Sequence, residues 1–322
     1  MLAAYAARTS AENPLSALEV GDVPEPEPRD GWVRVEVRAA ALNHHDLWSL
    51  RGVGLSGDRL PMILGCDGAG TTEDGGEVIV HAVIGGPDAP AGQAVAPGEP
   101  RSILTERYQG TLAQYVTVPA TNLVAKPRTL SWEHAACLPT AYLTAYRALF
   151  RSGRARPGQR VLVQGAGGGV ATAATILGAR AGLDVTVTSR DAGKRERALA
   201  LGAQAAVEPG ARVPRVDLVI ETVGAATWSH TMRTVKPGGT VVVVGATTGE
   251  PAAMEISRVF FQEIAVVGAT MGTLDELEQL VAFVAHHDVE PLVDSSYALK
   301  DARAALERLA GGGHMGKVVV TP

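Results

Sequence analysis

Residues 161–170, Val161-Leu162-Val163-Gln164-Gly165-Ala166-Gly167-Gly168-Gly169-Val170, pass from a β-branched strand straight into four glycines and then into a long run of small residues. With no bulky side chains to cover them, the backbone N–H groups of such a loop, and the positive end of the helix that follows, lie open to a pyrophosphate. A glycine string alone also suits an ordinary turn. The surroundings separate the two readings: a second strand, Val185 to Thr188, ends at Ser189-Arg190 about 20 residues onward, where a dinucleotide-binding unit places its ribose-reading residue.

Working outward, compact β-branched runs recur at Val161 to Gln164, Val185 to Thr188, Val216 to Ile220, Thr240 to Val244 and Ile264 to Val267. Helix-compatible stretches separate them at Val170 to Ala181, Ala192 to Leu201 and Ala226 to Val235. Strands apolar on both faces that alternate with helices describe a parallel sheet covered on both sides, a doubly wound nucleotide-binding unit.

The end of the second strand bears on which nucleotide is bound. An NAD site normally carries Asp or Glu there, accepting hydrogen bonds from the ribose hydroxyl and repelling a 2′-phosphate. Here Ser189 stands in that place, followed by Arg190 and Lys194. Guanidinium and ammonium groups partner a phosphate dianion, so NADP(H) is the expected cofactor. The competing reading makes Arg190 and Lys194 solvated charges at a helix start, where the dipole gives cations nothing, with Asp191 between them.

On the N-terminal side, Trp32-Val33-Arg34-Val35-Glu36-Val37 alternates with the period of a half-buried strand, and short stretches like it are punctuated by Gly, Pro and Asp as far as Leu123. A helical pattern follows from Trp132 to Leu138, with a break or kink expected at Pro139, and resumes from Leu143 to Phe150. On the C-terminal side an amphipathic helix from Thr273 to about His286 precedes a strand at Pro291 to Leu299, a helix at Asp301 to Leu309 and a last strand at Lys317 to Thr321. These tail elements are expected to return to the β-rich part. The predicted organisation is therefore α/β, with a β-rich domain over 1–123 and 289–322 and a cofactor domain over 124–288.

Composition narrows the function classes. The chain has 322 residues, 46% hydrophobic and 20% charged, with a formal net charge of -5. That is a globular balance, long enough for two domains. No excess of Lys and Arg exists to neutralise nucleic acid or an anionic membrane. The first nine residues lack a signal-peptide core and no apolar run reaches the roughly 18 to 20 residues of a membrane span, so a cytoplasmic location is expected. Two cysteines, Cys66 and Cys137, are too few for a four-cysteine zinc lobe.

Five motifs in order carry a family resemblance: Ala40-Ala41-Leu42-Asn43-His44-His45-Asp46, Gly65-Cys66-Asp67-Gly68-Ala69-Gly70, Leu143-Thr144-Ala145-Tyr146, the glycine-rich loop, and Gly316-Lys317-Val318-Val319. Over essentially its whole length the chain resembles the medium-chain dehydrogenase/reductase superfamily, and within it the zinc-free quinone oxidoreductase-like branch. The resemblance implies a GroES-like catalytic domain, a Rossmann cofactor domain with a six-stranded sheet, and a homodimer through that sheet's edge. Zinc-dependent members hold their catalytic metal on Cys, His and Cys. This sequence has Asn43, Cys66 and Thr140 at those positions, which supply an amide, a thiol and a hydroxyl, so no metal is expected. A regrouping of His44, His45, Cys66 and Asp67 is opposed by the opposite directions of adjacent side chains on an extended segment.

Without a Lewis acid, reduction of a quinone or a conjugated C=C bond suits the site better than reduction of an isolated carbonyl, because the developing charge is delocalised and fixed hydrogen-bond donors suffice. By resemblance Asn43 and Asp46 orient cofactor and substrate. His45, titrating near neutrality, is the candidate general acid, with a merely hydrogen-bonded wall histidine as the alternative. Trp48 and Cys66 are expected to line the substrate pocket. The expected cofactor contacts are Thr144, the loop Gly165, Ala166, Gly167, Gly168, Gly169 and Val170, then Ser189, Arg190 and Lys194, the strand ends at Gly224, Gly245 and Ala246, the segment Ala269, Thr270 and Met271, and Lys317. The expected activity is NADP(H)-dependent oxidoreduction of a small molecule. An alcohol dehydrogenase with an atypical metal site and a non-catalytic NADP(H) sensor are the competing readings.

Overall fold

The alternation at Trp32 to Val37 belongs to a ten-residue strand, Trp32–Ala41, whose Val35, Val37 and Ala39 are buried. The computed structural model describes residues 1–85, 101–250 and 254–322. Their contacts gather into two units, Met1–Thr140 with Thr273–Pro322, and Ala141–Gly272.

The first unit begins with β1 (Leu2–Ala6), β2 (Leu18–Asp22), β3 (Trp32–Ala41), helix α1 (His44–Arg51), β4 (Met62–Ile63), β5 (Asp67–Thr72), β6 (Glu77–Val80), β7 (Val83–Gly85), β8 (Arg101–Ile103), β9 (Tyr115–Pro119), β10 (Leu123–Ala125) and α2 (Trp132–Ala136). The second contains α3 (Leu143–Tyr146), β11 (Arg160–Gln164), α4 (Gly169–Arg180), β12 (Asp184–Thr188), α5 (Ala192–Ala200), β13 (Ala205–Val207), β14 (Val216–Glu221), α6 (Trp228–Thr234), β15 (Val235–Val243), α7 (Ile256–Phe261) and β16 (Ala265–Gly268). The chain then rejoins the first unit through α8 (Leu274–His286), β17 (Val293–Ala298), α9 (Ala302–Ala310) and β18 (Lys317–Thr321).

In the second unit the strand order is β13-β12-β11-β14-β15-β16, and every pairing is parallel. The order reverses between β11 and β14, so the carboxyl ends of those two strands form the crevice that open α/β sheets use for ligands. Leu162, Val219 and Val241 on the strands pack with Met232 and Ile264 into the core beneath it. This is the Rossmann arrangement expected from the alternating runs.

The first unit is the β-rich one. Its main sheet runs β10-β6-β5-β3-β18-β17, with β9 also paired to β3. The last strand, β18, joins β3 antiparallel and β17 parallel, so the tail does return to the β-rich part. Segments 124–140 and 273–288 also group here, because α2 packs on β3 and β5, and α8 meets β10. Helix α8 buries Leu277, Leu280, Val281 and Val284 at the three-and-four spacing of an apolar stripe. A capping box starts it: Thr273 N donates to Glu276, and Glu276 N donates to the Thr273 hydroxyl.

At Pro139 the helix does not break. Residues Leu138–Tyr142 form a π-helical turn instead, which is one way to continue past a residue with no N–H for the usual bond. Among the described residues no helix is long and apolar enough to cross a membrane.

The tail is pinned by Asp294, which takes two bonds from the Arg308 guanidinium, at 3.0 and 2.9 Å, and one from Met315 N. Burial raises its carboxyl pKa, but these donors and the Arg308 charge outweigh burial and bring it down to about 2. The stabilisation is therefore complete above the ordinary carboxyl value and is lost as pH falls toward the folded one. Asp294→Asn should cost about 1–2 kcal/mol at neutral pH, with Arg308 half in solvent. In urea titrations the gap between wild type and variant should close between about pH 4 and pH 2; a gap that persists unchanged to pH 2 contradicts this account.

Candidate functional site

The predicted residues fall into two groups, one in each unit. In the parallel-sheet unit, β11 empties into Gly165, whose φ is +89° and where a Cβ would meet the Thr222 hydroxyl at 3.2 Å. Its N–H donates to the Thr188 hydroxyl, 3.0 Å away. Gly168 precedes α4 and a Cβ there would meet nothing within 4 Å, so this face is open. No side chain caps α4 and no acidic residue sits in its first turn. The N–H groups of that turn have no partner inside the helix, which leaves an anion seat of backbone donors. Ala166 is buried beneath the loop, while Gly167, Gly169 and Val170 are partly exposed along it.

A polar network supports this loop, and the sequence reading missed it. Gln164 accepts from Thr188 at 2.9 Å and donates to Thr231 Oγ1 and His230 Nδ1. The other ring nitrogen of His230 faces the Ala211 carbonyl at 3.0 Å, so the proton belongs on Nε2 and Nδ1 accepts. Glu221, fully buried, accepts from Val223 N, Gly224 N and the hydroxyls of Thr227 and Thr231. Those bonds set the turn at Gly224, where φ is +93° and a Cβ would lie 2.5 Å from the Gly249 carbonyl. The available signal was a polar residue closing each of three strands, at Gln164, Thr188 and Glu221.

The cationic corner is assembled at the N-terminus of α5. Asp191 caps it, accepting from Lys194 N at 3.0 Å, while its own N–H donates to the Ser189 hydroxyl. One carboxylate oxygen is thus committed to the helix. Arg190 is exposed; Arg195, which the sequence reading passed over, ties its guanidinium to the Ser189 and Arg190 carbonyls. Gly245 and Ala246 follow β15, and Ala269 N bonds the Val243 carbonyl. Thr144 and Met271 meet directly, Met271 N donating to the Thr144 hydroxyl at 3.1 Å, with Thr270 exposed beside them.

The β-rich unit holds the second group. Lys317, 2% exposed, donates from Nζ to the Leu42 carbonyl at 2.7 Å, Asn43 Oδ1 at 2.6 Å and Asp67 Oδ2 at 2.9 Å. Asn43 Nδ2 donates to the same carboxylate oxygen at 2.9 Å. Asp46 is fully buried, and its two oxygens accept Asn43 N and Gly65 N, each at 2.8 Å. Burial lifts its carboxyl to about 6 against the pull of those two bonds. Asn43, Asp46 and Lys317 therefore form a closed internal bracket around the start of α1, and the ammonium of Lys317 is spent on protein acceptors.

His45 is half-buried, with Nε2 2.8 Å from the Thr105 hydroxyl; burial lowers its pKa and the Glu106 carboxylate opposes this. Trp48 is exposed on α1 at 43%. Cys66 is enclosed, its thiol donating to the Leu104 carbonyl, and burial pushes its pKa well up. Cys137 is buried too, its thiol pushed up to about 12 by burial and facing the Glu133 carbonyl. Thr140 Oγ1 and Asp67 Oδ1 are buried without a hydrogen-bond partner.

Removing one partner of a buried ion pair strands the other charge. Lys317→Met should therefore lower stability by about 3–5 kcal/mol, and Lys317→Met combined with Asp67→Asn should recover most of it. Urea unfolding of the single and double variants measures the coupling; additive losses would dissolve the bracket.

The alcohol dehydrogenase GroES-like domain model matches residues 29–128, and the zinc-binding dehydrogenase model matches residues 169–320. A zinc-type alcohol dehydrogenase-like protein of Schizosaccharomyces pombe is 30% identical, with 90% of each chain covered. The quinone oxidoreductase of Mus musculus is 28% identical over 93% of this chain and 92% of its own. The crystal structure of an NAD-dependent alcohol dehydrogenase superposes with a TM-score of 0.91 at 31% identity, covering 100% of both chains.

Proposed function

This chain belongs to the medium-chain dehydrogenase/reductase superfamily, and from that premise we propose that it is an NADP(H)-dependent reductase of quinones or enones that works without zinc. The observation that carries the cofactor half is the pairing of an uncapped glycine-rich helix start with Ser189 in place of an acidic ribose reader and Arg190 directly after it. When bound, the cofactor supplies a hydride. The backbone donors at Gly168 to Val170 would hold its pyrophosphate, and Arg190 and Lys194 would partner the 2′-phosphate. Thr144, Gly224, Gly245, Ala246, Ala269, Thr270 and Met271 provide the remaining contacts.

The donors at the three metal-ligand positions argue against a catalytic zinc. The Asn43 amide is bonded at both ends, the Cys66 thiol is a proton donor with a raised pKa, and the third position is the Thr140 hydroxyl. Zinc takes deprotonated thiolate, imidazole or carboxylate. Lys317 already brings a cation to the oxygens of this cluster. With no Lewis acid to polarise a carbonyl, an acceptor that delocalises the incoming charge is favoured. In this reading Asn43 and Asp46 are positioning residues that fix the start of α1, and His45 faces the acceptor oxygen, with Trp48 as a lining residue.

The same reading includes a homodimer through β16. All four residues of that edge strand are exposed, and so are Ile256, Phe260 and Phe261 on α7. An apolar unpaired edge is a template for pairing with another strand. Val267→Lys should convert a dimer to a monomer in sedimentation velocity; an already monomeric wild type refutes the dimer.

Calorimetry against both nucleotides tests the cofactor. NADPH should bind more tightly than NADH, and Arg190→Ala should weaken NADPH about ten- to hundredfold, the scale of one or two charged hydrogen bonds, while leaving NADH nearly unchanged. Binding of neither nucleotide ends this reading. If they bind, steady-state oxidation of NADPH against a panel of quinones and enones tests the chemistry.

A further inference from the structure

Thr105 is fully buried at a φ of +78°, a left-handed conformation that is costly for a β-branched residue and persists only where the surroundings impose it. Here they aim its hydroxyl. Oγ1 lies 2.8 Å from His45 Nε2, 3.4 Å from Ser49 Oγ and 3.9 Å from Cys66 Sγ. Ser49 Oγ is itself 3.4 Å from the same ring nitrogen. Among the described residues His45 Nδ1 has no hydrogen-bond partner, and it is not one of the buried orphan atoms. One nitrogen of the ring is clamped while the other stays open.

Counting protons assigns the tautomer. The Cys66 thiol gives its proton to the Leu104 carbonyl, 3.5 Å away. Two hydroxyl protons remain. With Nε2 bare, Thr105 donates to Nε2 and Ser49 donates to Thr105, and both protons are placed. With a proton on Nε2, Thr105 must accept it. The Thr105 proton then turns to Ser49, whose own proton loses its acceptor, or to a sulfur 3.9 Å away.

We propose that Thr105 and Ser49 hold His45 as the neutral tautomer protonated on Nδ1, so that this N–H is a fixed hydrogen-bond donor to the acceptor oxygen and not a proton source. The proposal rests on the reductase reading above. A bound dihydronicotinamide would supply a hydride to the acceptor carbon and become the pyridinium, the acceptor's π electron pair would move onto oxygen, the Nδ1–H would bond that oxygen, and water would supply the proton that completes the product, leaving hydroxide to solvent. Thr105 and Ser49 are positioning residues for this step. The setting agrees: burial lowers the pKa of the ring, and Glu106, on the loop after β8, is the carboxylate that acts against it. The other titratable neighbours are Asp46 on α1 and the Cys66 thiol, which burial keeps protonated. A neutral imidazole donates a hydrogen bond without first having to charge.

Side-chain 15N–1H correlation NMR of the full chain tests the tautomer with no substrate present. At about pH 7.5 Nδ1 should be protonated and Nε2 bare; a ring protonated on Nε2, or an imidazolium, overturns the proposal. Thr105→Val removes the hydroxyl at constant shape and should move the proton toward Nε2 and lower kcat about tenfold with KM little changed. Thr105→Ser should restore the tautomer and most of kcat. In wild type kcat should stay flat between about pH 6.5 and 8.5, whereas a fall of about tenfold per pH unit marks a proton donor and overturns the proposal. The expected tautomer in a chain that oxidises NADPH with no quinone or enone refutes the reductase reading and leaves the clamp standing, so the two failures are distinguishable.

Discussion

The β-rich unit is organised around one buried charge pair. Taking an ammonium and a carboxylate out of water is expensive, and their attraction offsets that expense only when the remaining donors and acceptors are satisfied. Lys317 satisfies its ammonium with three oxygens, and Asn43 adds a further donor to Asp67 Oδ2, so that of the pair's polar atoms Asp67 Oδ1 is left without a partner. The pair therefore fixes three segments at once: the end of β3 with the start of α1, the first residue of β5, and the first residue of β18. Asp46 repeats the principle with backbone partners only, tying Asn43 N to Gly65 N. The presentation of His45, two residues along from Asn43, follows from this bracket.

The two groups of residues solve different problems with different materials. At the end of β11 side chains are removed, so that main-chain donors face outward, and the polar groups that shape the loop are hidden below it at Gln164 and Glu221. At the start of α1 the side chains themselves are presented, and their orientation depends on hydroxyls and carboxylates packed behind them. The first arrangement tolerates small displacements, because a pyrophosphate collects several N–H bonds at once. The second depends on single bonds, which is why a strained Thr105 is retained there.

Much of the parallel-sheet unit was legible in the sequence because its signals are local: β-branched runs, glycines at strand ends and small helical residues sit next to one another in the chain. The parallel sheet followed from that alternation, while the short edge strand β13 was not among the runs it marked. The break expected at Pro139 emerged as a π-helical turn, since a proline forbids one hydrogen bond without dictating how the chain avoids needing it. The β-rich unit was less readable. Lys317 was expected to reach a cofactor, and its placement depends on partners 250 and 274 residues away. Thr105 carries no sequence mark at all, because its φ is imposed by packing. Gln164 and Glu221 were visible as polar strand ends, yet their hydrogen-bond partners were not, since hydroxyl networks leave no periodic trace.

The position of β18 has a consequence for biosynthesis. Once residue 272 has cleared the ribosome, every strand of the parallel sheet is outside it, and that unit can close on itself. The β-rich unit at that moment lacks its two last strands, the second half of β3 has an open edge where β18 belongs, and Asp67 has no countercharge. Loop closure on this scale is slow, so the first segment to be translated is the last to mature. Nascent chains stalled short of residue 317 would carry a finished nucleotide fold beside an immature partner, the kind of intermediate that folding helpers capture.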